Sequence, residues 1–259
     1  VHDKDRLRHA EVLDILADRL TPIADIETVD LTSANGRVLA EAVTAPRDMP
    51  GFSNAAVDGY AIAASSLGDG EPTLKIAMRI QAGAAIKGRL QPGEAARIFT
   101  GAVMPDGADT CIMQEDTSID GDNVTIPAGV KPGINVRAAG EDVKAGNEVA
   151  AAGTRLRPQE LAAIASTGTA KVKTFKPLAV ALVSTGDEII RPGEEIVKGQ
   201  VFDSNHSLLT GLLETTGAQV TDLGVLPDDR SVVESTIHEA SARYDVIVTT
   251  GGASRGEAD

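Results

Sequence analysis

LAVALVSTGDE, residues 178–188, decides how the last third of the chain is read. Its first six residues are apolar without alternation, the pattern of a parallel strand covered on both faces. STGDE then reads as a loop at the carboxyl end of that strand. Downstream, FDSNHSLLTGLLETTGAQV (202–220) sets Asp203, Ser204 and Asn205 before Leu208, Leu209, Leu212 and Leu213, and closes with Gly217. Short polar side chains suit a helix start, leucines at helical spacing its body, and glycine its end. QVTDLGVL (219–226) reads as a strand, DDRSVVESTIHEASARY (228–244) as a capped helix, and DVIVTT (245–250) as another buried strand. Strand, helix, strand, helix, strand is a parallel α/β pattern, and such sheets bind ligands beyond the carboxyl ends of their strands.

Upstream the texture differs. DRLRHAEVLDILADRL (5–20) has the apolar spacing of an amphipathic helix, and SANGRVLAEAVTAP (33–46) follows as a turn with a short helix or strand. From about 45 to 150, short β-like runs (TLKIAMRI, ARIFT, TCIMQE, NVTIP) alternate with Gly, Pro and Asp turns, as in a small all-β module. RPQELAAIASTG (157–168) returns to helix, with Pro158 suited to its first position and Gly168 to its end. The expected organisation is therefore α/β and multidomain. A helical and β domain from 1–44 and 135–176 carries an inserted β-rich domain, 45–134, and is followed by a parallel α/β domain, 177–259.

Composition narrows the function. Net charge is −14, aromatics are 2% and tryptophan is absent, so neither a basic groove nor stacking platforms invite nucleic acid, and anionic membranes are repelled. No apolar run approaches the ~20 residues of a membrane span, and no secretory signal is visible. One cysteine, Cys111 in ADTCIMQ, excludes an internal disulfide and reads as a buried small apolar residue; the expected compartment is the cytoplasm. Four scattered histidines do not make a zinc site.

Candidate chemistry gathers in the loops after strands. STG and TTGG are glycine-rich turns whose N–H groups can approach an anion, although tight turns need glycine for geometry alone. Asp187, Glu188, Asp228, Asp229 and Asp259 fall in the same set of loops. Carboxylates beside an anion-cradling turn repel it unless a divalent cation intervenes, and oxygen ligands with phosphate suit Mg²⁺. Equally, each could be a helix cap or a solvated charge. In the β-rich part Asp58-Gly59 and Thr100-Gly101 are turn signatures that pattern alone leaves undecided.

Taken together, six segments in order resemble the molybdopterin molybdotransferase family, the MoeA and gephyrin E-domain proteins. They are GRVLAEAVTAPRDMPGFSNAAVDGYAI, GEAARIFTGAVMPDGADTCIMQEDT, VRAAGEDVKAG, LVSTGDEIIRPGEEIVKGQVFDSN, LGVLPDD and DVIVTTGGASRGEAD. The resemblance implies insertion of molybdenum from molybdate into the dithiolene of adenylylated molybdopterin, with release of AMP and assistance from Mg²⁺. It makes the α/β part MogA-like and incomplete, with the family's C-terminal β domain (domain IV) absent. It implies a homodimer with a site shared between subunits, and a MogA-like adenylyltransferase as a possible partner. By position, the catalytic residues fall on Asp58, Thr100, Asp142, Glu188, Asp228 and Asp259, with Glu188, Asp228 and Asp259 as metal ligands. Substrate binding falls on Ser184, Thr185, Gly186, Asp187, Asp203, Ser204, Asn205, Gly251, Gly252 and Ser254. The chain departs from the family pattern at Ser53, Ala55 and Val57, and at Arg255, where a small apolar residue is usual. A gephyrin-like scaffold role without catalysis is the alternative, and a nucleotide-binding regulator a third reading.

Overall fold

The computed structural model describes residues 7–21, 25–68 and 70–251. The chain packs as two units: Ala42–Ala152 with Pro158–Lys171, and Val1–Glu41 with Gly153–Arg157 and Val172–Asp259.

Six strands form the centre of the first unit, in the order Thr110–Met113, Gly59–Ile62, Glu94–Ile98, Thr73–Ile80, Asn123–Thr125, Ser118–Asp120. Neighbours run antiparallel except Thr73–Ile80 beside Glu94–Ile98, which are parallel. Thr73–Ile80, Glu94–Ile98, Thr110–Met113 and Asn123–Thr125 fall in runs that turn punctuation marked off; Gly59–Ile62 and Ser118–Asp120 were not among those runs. Alternation along each strand sends Ala61, Ala96, Ile98 and Cys111 into one buried cluster and Tyr60, Ile62, Ala95 and Ile112 into another. Both faces are therefore covered, and all four residues of Gly59–Ile62 are buried. Gly59 has no space for a side chain, since a β-carbon there would lie 1.8 Å from the carbonyl oxygen of Ile112. Cys111 is fully buried, and burial pushes its thiol up to about 11. Ala55 and Val57, two of the family departures, pack in or against the first cluster.

The second unit begins with helix α1 (His9–Arg19), which has no buried residue; Leu7, Val12, Leu13, Leu16 and Leu20 are all exposed. The helical spacing is correct, but its apolar side lacks a covering surface among the described residues. Helix α2 (Pro158–Ser166) belongs to the first unit, with Pro158 at its start, Ile164 fully buried and Gly168 at φ 84° beyond its end.

The parallel sheet has Ala179–Thr185 in the middle, flanked by Gln219–Leu226 and Val246–Thr250, all parallel. Helix α3 (Ser204–Thr215) and helix α4 (Arg230–Ser241) are the crossovers. Residues 180–184 are buried as expected of LAVALV. Val246–Thr250 is not: it flanks the sheet among the described residues and its side chains are only half-buried or exposed. Likewise Leu208 and Leu212 of α3 are exposed although their spacing is helical. The α3 helix starts at Ser204, with Asp203 as its cap; Gly217 lies just past its end at φ 88°. A short parallel pair, Ile189–Ile190 with Val201–Phe202, was not apparent in the sequence.

Candidate functional site

Register brings the strand ends of the parallel sheet level: Thr185 pairs with Leu226, and Ser184 with Thr250. The loops STGDE, LPDD and TTG therefore emerge side by side. Gly186 takes φ 135° and donates its N–H to Leu226 O at 3.1 Å. A β-carbon there would sit 2.6 Å from Glu188 Oε2, so the Glu188 carboxylate folds over the bare glycine. The hydroxyl of Thr185 donates to Thr250 O at 3.2 Å. Gly251, at φ 91°, leaves no space for a β-carbon, which would lie 2.5 Å from Thr185 Oγ1. Asp187 and Asp228 join their loops reciprocally: the N–H of Asp228 donates to Asp187 Oδ1 at 3.2 Å and that of Asp187 to Asp228 Oδ2 at 3.5 Å. Asp187, Glu188 and Asp228 are exposed.

Two further acids of these loops are committed to helix starts. Asp229 caps α4, accepting from the N–H groups of Ser231 and Val232 and from the Ser231 hydroxyl. Those bonds, the hydroxyl foremost, hold its carboxyl below the usual range. Asp203 is only 4% exposed. Its Oδ1 accepts the His206 N–H at 2.9 Å, and its Oδ2 accepts from the Ser184 hydroxyl at 2.5 Å and from Arg191 Nη1 at 3.1 Å. Burial alone would push its carboxyl up; the Ser184 hydroxyl, the His206 N–H and the Arg191 charge outweigh burial and hold it below the ordinary value. Arg191 continues to Asp222 Oδ1 at 2.6 Å, and Asp222 Oδ2 lies 3.2 Å from His206 Nε2. Asp203 thus faces inward, while Ser204 and Asn205 are exposed at the first turn of α3.

In the β-rich unit Thr100 donates both its backbone N–H (2.8 Å) and its hydroxyl (2.7 Å) to Asp58 Oδ1. The N–H foremost, then the hydroxyl, hold the Asp58 carboxyl below the usual range, and Arg97 assists. Oδ2 takes no bond from the described residues, so Asp58 is an ionised acceptor facing water. Asp142 pairs with Arg137 Nη2 at 2.5 Å, and the same guanidinium reaches Glu141 Oε1 at 3.1 Å. Gly252, Ser254, Arg255 and Asp259 lie outside the described residues. Among the described residues no three His, Cys, Asp or Glu side chains are grouped to hold a metal, so they do not form a ready Mg²⁺ cage.

Residues 7–168 match the family described as MoeA N-terminal region (domain I and II). The chain belongs to the MoeA family. Residues 181–259 match the family described as "Probable molybdopterin binding domain". This MoeA-family chain is 38% identical over 254 residues to a molybdopterin molybdenumtransferase from a Nostoc species, an alignment covering 96% of this chain and 58% of the relative. It is 39% identical over 234 residues to the Haemophilus influenzae molybdopterin molybdenumtransferase, covering 90% and 58%. The chain thus spans somewhat over half the length of these relatives. Its fold is similar to a crystal structure of a molybdopterin biosynthesis MoeA protein from Pyrococcus horikoshii OT3, with TM-score 0.87 and 37% identity over 93% of this chain and 65% of that one. The MoeA-like fold expected from the sequence, with a β-rich domain and a MogA-like α/β domain, is borne out.

Within each unit of the MoeA-family chain, the geometry groups some expected residues. Ser184, Thr185, Gly186, Asp187, Glu188, Asp228 and Gly251 stand at one end of the parallel sheet; Asp58 pairs with Thr100; Asp142 pairs with Arg137. Sequence reasoning passed over Arg97, Arg191 and Asp222. Arg191 and Asp222 bond across 31 positions, and no local pattern marks such a pair.

Proposed function

We propose that the protein to which this chain belongs is a molybdopterin molybdenumtransferase, inserting molybdenum from molybdate into adenylylated molybdopterin with release of AMP. The observation that carries this reading is the convergence of STGDE, LPDD and TTG at the carboxyl end of a MogA-like parallel sheet, where a ligand of such a sheet is expected. Gly186 and Gly251, lacking side chains, let the Glu188 carboxylate and Thr185 pack against bare backbone, which draws these turns together. Asp58, ionised and aligned by Thr100, is a positioned acceptor for a substrate proton or hydrogen bond. The domain division 1–44 with 135–176, 45–134 and 177–259 belongs to this reading, as do a cytoplasmic location and a MogA-like adenylyltransferase partner. No helix among the described residues is long and apolar enough to cross a membrane.

The exposed apolar side of α1 supports a homodimer, in which Asp58 and Asp228 would serve one site from different subunits. Mixing an Asp58→Ala chain with an Asp228→Ala chain should then restore some cofactor formation, because a hybrid dimer keeps one intact site. Absence of recovery, with hybrid dimers shown to form, refutes the shared site. The same exposed apolar sides of α1 and α3 favour the second reading, a scaffold that binds partners without chemistry; cofactor formation from molybdate and adenylylated molybdopterin separates the two.

Mg²⁺ belongs to the proposal, with Glu188, Asp228 and Asp259 as the residues that would hold it. It would neutralise charge where carboxylates meet an anionic substrate, since two unit charges 4 Å apart interact by about 4 kcal/mol at an effective dielectric near 20. Adenylylated molybdopterin should bind more tightly in Mg²⁺ than in EDTA, and Asp228→Asn should lessen that difference. Equal affinity in both conditions refutes the metal.

A further inference from the structure

The geometry points to Arg97 as the positioning residue of the Asp58–Thr100 pair, a guanidinium that ties down both backbone segments flanking the carboxylate. Nη1 of Arg97 donates to Gly59 O, the residue after Asp58, at 2.9 Å. Its Nη2 bonds the side-chain oxygen of Gln114. Gln114 in turn donates its backbone N–H to Asp58 O at 3.0 Å. One planar fork therefore grips the chain on the far side of Asp58 and the strand end that holds Asp58 itself, a geometry lysine cannot reproduce. The fork is fixed on its flat sides too. Its central carbon lies 4.6 Å from the centre of the Phe99 ring and 5.2 Å from that of Tyr60, distances at which a cation is held by the ring. Phe99 precedes Thr100, so the same stack steadies the donor of the pair as well as the acceptor.

Arg79 supplies an internal control. It stacks on Phe99 at 4.8 Å but bonds neither Gly59 nor Gln114. If stacking on Phe99 were what mattered, the two arginines would be equivalent; if the fork matters, only Arg97 counts.

What Asp58 does in the reaction rests on the molybdenum-insertion reading, whereas what holds Asp58 does not. The test therefore has a readout independent of activity. Hydrogen exchange at the Thr100 amide, which donates to Asp58, is compared in the parent chain, Arg97→Gln, Arg97→Lys and Arg79→Gln. Protection at Thr100 should fall by about tenfold in Arg97→Gln and Arg97→Lys, the order expected for loosening one charge-assisted hydrogen bond. It should stay at the parent level in Arg79→Gln, with amides of Thr73–Ile80 unchanged throughout. Should Arg97→Gln lose protection across the whole sheet, Gln114→Ala removes one anchor of the fork while leaving the guanidinium in place, and must lower Thr100 protection selectively. Unchanged Thr100 protection in a folded Arg97 variant, or in Gln114→Ala where that is used, overturns the proposal, as does an equal fall in Arg79→Gln. In the cofactor-formation assay the Arg97 variants should lower kcat with KM little changed. Inactivity of the full protein in that assay would count against molybdenum insertion and leave the exchange result standing.

Discussion

The six-stranded sheet and the three-stranded parallel sheet handle their carboxylates in opposite ways. In the six-stranded sheet both faces are covered, and Gly59–Ile62 is buried at every position. Its notable acid, Asp58, stands outside that core, its carboxylate bonded by Thr100 and its backbone carbonyl by Gln114. In the three-stranded parallel sheet only the middle strand is buried, and Asp203 lies inside, tying Ser184, Arg191 and the first turn of α3 together. Where apolar packing already fixes the strands, an acid can be left facing water. Where the flanks are half bare, an acid is taken up as a joint, and its hydrogen bonds substitute for missing apolar contact.

That contrast can be broken first at Gly59. A β-carbon in Gly59→Ala must displace the backbone of Ile112, so the β-rich unit should lose at least about 3 kcal/mol. Urea denaturation monitored on this unit checks it, and a near-native midpoint would mean that the sheet is looser than its burial implies. Next comes Asp203→Asn, which removes the buried charge beside Arg191. Arg191 keeps Asp222, so the expected loss is about 2–3 kcal/mol rather than the full cost of an orphaned ion. The pH dependence has a definite sign. The folded carboxyl titrates below its unfolded value of about 3.9, so its contribution is complete above that value and is lost as the pH falls through the folded one. Parent and variant should therefore differ in urea midpoint at neutral pH and converge in acid. The smallest effect belongs to Asp229→Ala, which removes the exposed cap of α4. It should lower the midpoint by less than Asp203→Asn does, and an equal loss would mean that Asp229 does more than cap.

Much of this was legible in the sequence, and the particular residues explain why. LAVALV and TLKIAMRI are strands because their composition and punctuation leave little choice, and Pro158 and Gly168 bracket α2 by backbone restriction alone. The turns STG and TTG declare themselves through glycine. What stayed hidden depends on contacts between distant positions. Asp203, Ser204 and Asn205 match a family motif, but that Asp203 is buried against Ser184 and Arg191 cannot be read from three polar letters. Val246–Thr250 has the composition of a covered strand and lies on a flank. Arg97 has no signature at all, since its role comes from meeting Gly59 and Gln114 in space. The family motifs pointed to Asp58 and Thr100, and the structure supplied the bond between them.

The reciprocal bonds between Asp187 and Asp228 carry one last consequence. Each side chain accepts from the other residue's backbone, so the loops after two neighbouring strands do not fluctuate independently. Displacing one withdraws an acceptor from the other. A ligand that ordered STGDE would also restrain LPDD, so the entropy lost on ordering the two loops would be less than for two independent ones.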